Sequence, residues 1–470
     1  MKAFVCVVCA FVVTACDPVI SEPVMDGGVK IPNATTIVAG GSCPKSTGAG
    51  VSHSSNVTTN VTWLAVDNPH VIPSSIRVEA VLTLEPCVEV RLADGVTITV
   101  GNGSATGAKG SIVAHGTYDE ATDVLKPVLF LPRDADKKWG NLFVQQTGSL
   151  DFQLVALSNG GKDTGTTHST IEARGTQAKP TLPLLRMRGV VIVDSGGNGV
   201  VLNSYATFTE DSDTLIVQGA EKQPLVVQPP AVRTIPTGAY TGNGTDEILV
   251  LGVTRLDVDE AFHDRGVPYR LDSTFLMYDL GKTSLTLTVD PGVKVRVAKE
   301  SSGGYGFILG NKASQAPVKL IANGTAAKPI VFTSAAATPK PGDWAGILMA
   351  NAPATGNSVS FTTIEYAGGF TGTRGFDCGP LANNGGLLII DWRPEDAFVT
   401  HSTFRETLGS GIVSGWTVLS GQTGPVLTAD NTFSGLAPAP NQLGSCDVSE
   451  WRLSVAGMPC RTNVPTCVGK

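Results

Sequence analysis

The densest group of side chains able to do chemistry is Asp257, Asp259, Glu260, His263 and Asp264, closing on Gly266. Several carboxylate oxygens on one tight turn are what a calcium ion requires, so Asp257, Asp259, Glu260 and Asp264 are candidate ligands for Ca2+, the one cofactor the sequence admits. Their order departs from the D-x-D-x-D-G loop, and the segment runs on into the strand-like VPYRLD (267–272), which leaves a structural role open. Trp139 and Trp344 follow charged or turn residues at matching places; an indole there can stack on a sugar ring or anchor a coil corner from inside. His168 and His401 stand alone in Ser/Thr-rich runs, and Asp194 and Asp343 lie on turns without an evident partner. No G-x-S-x-G, P-loop or H-E-x-x-H motif occurs, and no catalytic constellation is legible.

Cysteine usage points to export. Lys2 precedes ten apolar residues, Phe4 to Val13, too few to span a bilayer, so residues 1–15 read as a signal segment ending before Cys16. Beyond Cys16 stand Cys43, Cys87, Cys378, Cys446, Cys460 and Cys467. An even set in an exported chain favours disulfides. None of the six forms a C-x-x-C pair and no histidine lies close to them in sequence, which argues against zinc. The expected arrangement is Cys43–Cys87 at the N-terminal end, with the other four closing the C-terminal end. Residues 16–61 read as a flexible tether and N-terminal cap.

The elements that must position these groups are strands. Between Ser284 and Ala367 apolar residues alternate in short runs (Leu285, Leu287, Val289; Val293, Val295, Val297; Ile330, Phe332), broken by Asp290-Pro291-Gly292 and Asn323-Gly324-Thr325 turns. Charged residues make up only 16% of the chain, whereas there are 54 glycines and 29 prolines, a turn-rich balance. The chain also repeats itself. VLTLEPCVEVRLADG (81–95) matches LTLTVDPGVKVRVAKE (285–300), with Pro86 against Pro291, and Trp139 matches Trp344, both at an offset of 205 residues. Two units follow, 62–261 and 262–435, with residues 436–470 as a Cys-rich C-terminal cap. Shorter echoes (LVALSNGG, VVIVDSGG, TTIEYAGG) run a strand into Gly-Gly, as stacked coils of a solenoid do. Gly292 is Cys87 in the first copy, so that turn either does without a positive φ or is compensated by a disulfide.

Val13-Thr14-Ala15-Cys16 resembles the lipobox of bacterial lipoproteins. The resemblance implies cleavage before Cys16 and acylation of its thiol, a firm anchor when two or three chains are carried. The alternating stretch resembles the right-handed parallel β-helix repeats of bacterial envelope lipoproteins, which share the fold of pectate lyases; the likeness covers about 64–435. It implies an all-β, internally duplicated, right-handed parallel β-helix with a disulfide-closed C-terminal cap. It also implies a lipid-anchored protein of the cell envelope, at the outer membrane or cell surface, with polysaccharide or an envelope protein as partner. Asp17 beside Cys16 resembles an inner-membrane retention signal of some enteric bacteria. Without residues 1–15 the chain carries 33 basic and 41 acidic residues, a net charge of −8, which disfavours nucleic acid.

The polygalacturonase-type Asn-Thr-Asp, Asp-Asp, Gly-His-Gly and Arg-x-Lys elements are missing. Ala114-His115-Gly116 comes nearest, and its counterpart Ala322-Asn323-Gly324 is a turn. The expectation is a non-catalytic binding, structural or adhesive module rather than an enzyme, with a polysaccharide lyase or glycoside hydrolase as the alternative. The two differ in one respect: an enzyme should concentrate acids, Arg and Lys in one copy only.

Overall fold

The computed structural model describes residues 33–162, 168–176, 184–252, 255–281, 283–299, 304–311, 316–370, 384–390, 392–415, 425–436 and 450–452. Cys16, Cys378, Cys446, Cys460 and Cys467 lie outside them. Strand follows strand along the chain, and every strand pairing among the described residues is parallel except the hairpin Thr117–Asp119 with Val124–Lys126. The result is a parallel β-helix. One sheet of 13 strands runs from Ile76–Val78 to Thr432–Ser434. An 11-stranded sheet flanks its first half, and sheets of five and seven strands flank its second.

Alternation in each strand sends every second side chain inward, and in-register pairing stacks these into columns. One column passes through the long sheet by way of Ile98, Leu142, Ile171, Val200, Leu225 and Ile248. All six are fully buried. Burial of one such side chain stabilises by about 1.5–3 kcal/mol, which no single coil could gain without its neighbours.

The strand-to-Gly-Gly echoes turn out to be stacked corners. Asn159 and Asp194 hold left-handed backbone (φ 56° and 57°), as Tyr366 does at 60°, and Gly219 continues the first column. A second set of corners stacks Leu154, Gly189 and Thr214. Left-handed conformation costs a non-glycine residue roughly 1–2 kcal/mol, and the sheets these corners join offset it.

The equivalent strands Leu142–Val144 and Ile347–Met349 keep the 205-residue offset yet belong to different sheets, the former to the 13-stranded and the latter to the seven-stranded one. The change occurs where the 3-10 helix Pro229–Thr234 stands in place of a strand. This helix lies over the coil before it, where Thr234 Oγ1 accepts from Phe208 N at 3.3 Å, and packs against the strand Glu260–Phe262 after it.

At the N-terminal end the supposed flexible tether is folded from residue 33 onward. Asn33 caps the helix Ala34–Val38, its Oδ1 accepting from Thr35 N at 2.9 Å. Ala34 and Ile37 pack on an outward-facing apolar strip of Leu154, Ala156, Val191 and Ile216. The expected Cys43–Cys87 disulfide ties the following loop to the solenoid. Cys87 has φ 71° and Gly292 φ 92°, so the first copy does need the left-handed turn.

Candidate functional site

Two sequence candidates are corrected by their surroundings. Trp139 and Trp344 are both 0% exposed, with Nε1 donating at 2.8 Å to the carbonyls of Ser158 and Glu365. Each fills a coil corner from inside, and neither face is open to a sugar. The four acids of the proposed calcium loop turn to separate local partners. Asp257 lies 3.6 Å from Arg255, Asp259 accepts from Thr286 N at 2.7 Å, and Asp264 faces Lys328 at 3.3 Å. Glu260 is buried beneath the 3-10 helix, accepting from Ala261 N at 3.0 Å, and burial pushes its carboxyl up to about 8. Among the described residues no three His, Cys, Asp or Glu side chains are placed to hold a metal. Asp343, which has no evident partner in the sequence, is a buried hub: it accepts from Ser334 Oγ at 2.8 Å and Lys340 N at 2.9 Å, and pairs with Lys299 at 3.1 Å.

The structure instead gathers charge on one outward face of the first unit. Strands Gly110–His115, Gly148–Ser158, Leu185–Val193 and Asp213–Gln218 pair in register, so outward residues of successive coils meet. His115 Nε2 stands 3.0 Å from Asp151, which lies 3.1 Å from Arg186 Nη1, and Arg186 Nε donates to Asp211 at 2.8 Å. Arg188 pairs in register with Gln153 and Asp213. One coil further on, Arg233 Nη1 pairs with Glu210. Beyond that, His263 Nδ1 donates to Asp290 Oδ2 at 2.9 Å, taking the carboxylate as ionised. Seven successive coils contribute, and at about 4.8 Å per strand the ladder runs for roughly 30 Å.

The 3-10 helix leaves a notch in this face, of about 280 Å³, lined by Glu210, Asp213, Arg233, Thr237, His263 and Arg265. Two nitrogens of Arg265 are committed to the Ile235 carbonyl, at 3.0 and 2.7 Å. Burial holds the Asp213 carboxyl above its ordinary range, against the opposing pull of Arg188. Where the same face continues into the second unit it carries Lys319 and, beyond it, hydroxyls: Asn323 Oδ1 accepts from Ser358 and Ser360 hydroxyls at 2.6 and 3.2 Å.

A second recess, of about 480 Å³, lies at the N-terminal end beside His53, Trp63 and His70. There the His53 and His70 rings stack on Trp63, and His53 Nε2 and His70 Nδ1 are 2.9 Å apart. Burial, then the neighbouring His70, lowers the His53 pKa. With Trp63 only 4% exposed, these rings plug the end of the core.

Residues 258–375 match a family model described as a pectate-lyase like beta helix domain. The match lies mainly in the second unit and takes in the last rung of the charged ladder, His263 and Asp290, but none of its earlier rungs. No curated protein and no solved structure matches the chain.

The ladder residues escaped a reading of the sequence because they are scattered over 176 positions, from His115 to Asp290. The one local signal was polar pairs two residues apart within consecutive strands or their edges: Asp151 and Gln153, Arg186 and Arg188, Asp211 and Asp213. Such pairs mark an outward face.

Proposed function

We propose that this chain is a lipid-anchored protein of the bacterial cell envelope whose β-helix binds an extended polysaccharide along the charged face of its first unit. The ladder of ion pairs crossing successive coils carries this reading. Half-exposed ion pairs add only about 0–1 kcal/mol each to stability, so folding alone gives little reason to line up this many. Held in place by one another, they form a preorganised row of donors and acceptors at a spacing close to that of sugar residues in an extended glycan. Cys16, with its lipobox-like context, supplies the anchor in this reading.

A second reading, glycan cleavage, draws on the notch where the ladder passes from the first unit into the second. His263, oriented by Asp290, leaves Nε2 free beside Asp213, a base and an acid lining one notch.

One experiment addresses both readings. The oxidised protein is passed over immobilised plant, algal and bacterial-envelope polysaccharides, scoring retention and the release of reducing or unsaturated ends. Retention without release is the expected result, and release would replace binding by cleavage. Absence of both for every polymer defeats the glycan reading. Incorporation of labelled fatty acid, lost in Cys16→Ser, checks the anchor.

A further inference from the structure

The core of the solenoid is open at its N-terminal end. Val61 heads the inward column that continues through Leu82, Ile112 and Leu150, and Val51 heads the one through His70, Val90 and Phe130. Every later member is buried, yet Val51 is 42% and Val61 38% exposed, because no coil stacks upon them. The stacked His53, Trp63 and His70 rings plug part of this end. The two valines line the recess of about 480 Å³ that remains.

The strand edges at this end are unpaired as well. Val51 N donates to the Pro69 carbonyl at 2.9 Å and His53 N to that of Val71 at 2.8 Å. In the alternation of a parallel ladder, the N–H and C=O of Ser52 between them therefore point away from the sheet. Thr62 stands likewise between Val61 and Trp63, whose carbonyl accepts from Glu85 N at 3.2 Å. Native edges are ordinarily guarded by charge, proline or a covering helix. From Val51 to Trp63 there is no Asp, Glu, Lys, Arg or Pro. The helix Ala34–Val38 packs on the outward strip of Leu154, Val191 and Ile216 and not over this end.

We propose that the N-terminal end docks a second copy of the chain, the two first coils meeting about a twofold axis with their strands Val61–Trp63 paired antiparallel. Each copy then supplies the coil the other lacks. Val51 and Val61 are covered, and the free N–H and C=O of Thr62 meet the same groups of its counterpart. An uncharged surface of Val, Ser, Thr and Asn suits self-pairing, since like meets like without repulsion and Thr–Thr pairs are favourable across antiparallel strands. A strongly charged partner would find nothing here to complement it. A twofold contact also closes on itself, giving dimers and not fibres. The coil offers 13 residues, 51–63, against about 20–30 a side in a standard interface, so a weak, concentration-dependent dimer is expected. The surface lies apart from the charged face, and the proposal does not depend on glycan binding.

Sedimentation equilibrium of the full-length oxidised protein in detergent, from about 1 to 100 µM, tests this. Repeating it with micelles in large excess over protein removes chance sharing of a micelle. Reversible dimerisation with a micromolar dissociation constant is expected. Val61→Asp, and separately Thr62→Pro, should each weaken it at least about tenfold. Melting temperatures should stay near wild type, because both positions are exposed and the Thr62 N–H faces solvent in the monomer. Leu280→Asp, at a residue 62% exposed in the second unit, should change nothing. Hydrogen exchange at the Thr62 amide should slow in proportion to the dimer formed. A monomer at every concentration, a dimer indifferent to both Val61→Asp and Thr62→Pro, or one weakened equally by Leu280→Asp overturns the proposal. So does a Thr62 amide already protected in the monomer, which would put another segment of the same chain on this end.

Discussion

Glu260 shows how little a residue's type says about its role. In sequence it is one of four acids fit for calcium; in the fold it is 2% exposed, with Oε2 unpartnered. Burial lifts its carboxyl from the ordinary 4.5 to about 8. Between those values the folded chain keeps a proton that the unfolded chain releases, so stability falls as pH rises through that window. Glu260→Gln should remove this slope, leaving the melting temperature near wild type at pH 4 and raising it by several degrees at pH 8. Thermal melts at pH 4, 6 and 8 decide it, and equal shifts at both ends would refute a titrating Glu260. Trp139 and Trp344 make the same point: an indole after a turn looks free to stack, until its Nε1 is found bonded to a buried carbonyl.

At the scale of the element, the turn at 87 is the sharpest case. Cys87 pays for left-handed backbone where its counterpart is Gly292, and the disulfide to Cys43 holds the cap loop in return. These two effects can be separated. With Cys43→Ala removing the bridge, Cys87→Gly should leave the protein about 1 kcal/mol more stable than Cys87→Ala, since only glycine adopts that φ without penalty. Both should fall about 2–4 kcal/mol below the bridged protein. Denaturant midpoints measure both differences, and indistinguishable Gly and Ala variants would show that the turn relaxes once the bridge is gone. The repeated corners at Asn159, Asp194 and Tyr366 follow the same logic, each a local cost accepted because the sheets on either side bury a continuous column.

On the scale of the whole molecule, one continuous core carries an outward face whose side chains change along its length. The face that carries Asp151, Arg186 and Asp211 in the first unit carries Lys319, Asn323, Ser358 and Ser360 in the second. Arg186→Ala with Arg188→Ala should therefore lower glycan retention at least tenfold and weaken its dependence on ionic strength, whereas Ser358→Ala with Ser360→Ala should change neither. Retention measured from 50 to 500 mM salt tests this, and equal effects from both double variants would spread the binding face over both units.

What the sequence determined by itself is local. Alternation fixed the strands, Pro-Gly and Asn-Gly the turns, the equal offsets the repetition, and the cysteine inventory suggested the one bridge among the described residues. Tertiary structure decided the rest, because a period of two tells which face of its own strand a side chain occupies but not which strand lies alongside or in what register. Asp151, Arg186 and Asp211 become neighbours only when coils of unequal length stack in register. The notch lies where Pro229–Thr234 winds as a 3-10 helix and the next coil places the strand Glu260–Phe262. The tryptophans are inward because a neighbouring segment, far away in the chain, brings a carbonyl to each Nε1, Ser158 to Trp139 and Glu365 to Trp344. Each is a consequence of how coils pack, and packing between segments far apart in the chain is not written in any one of them.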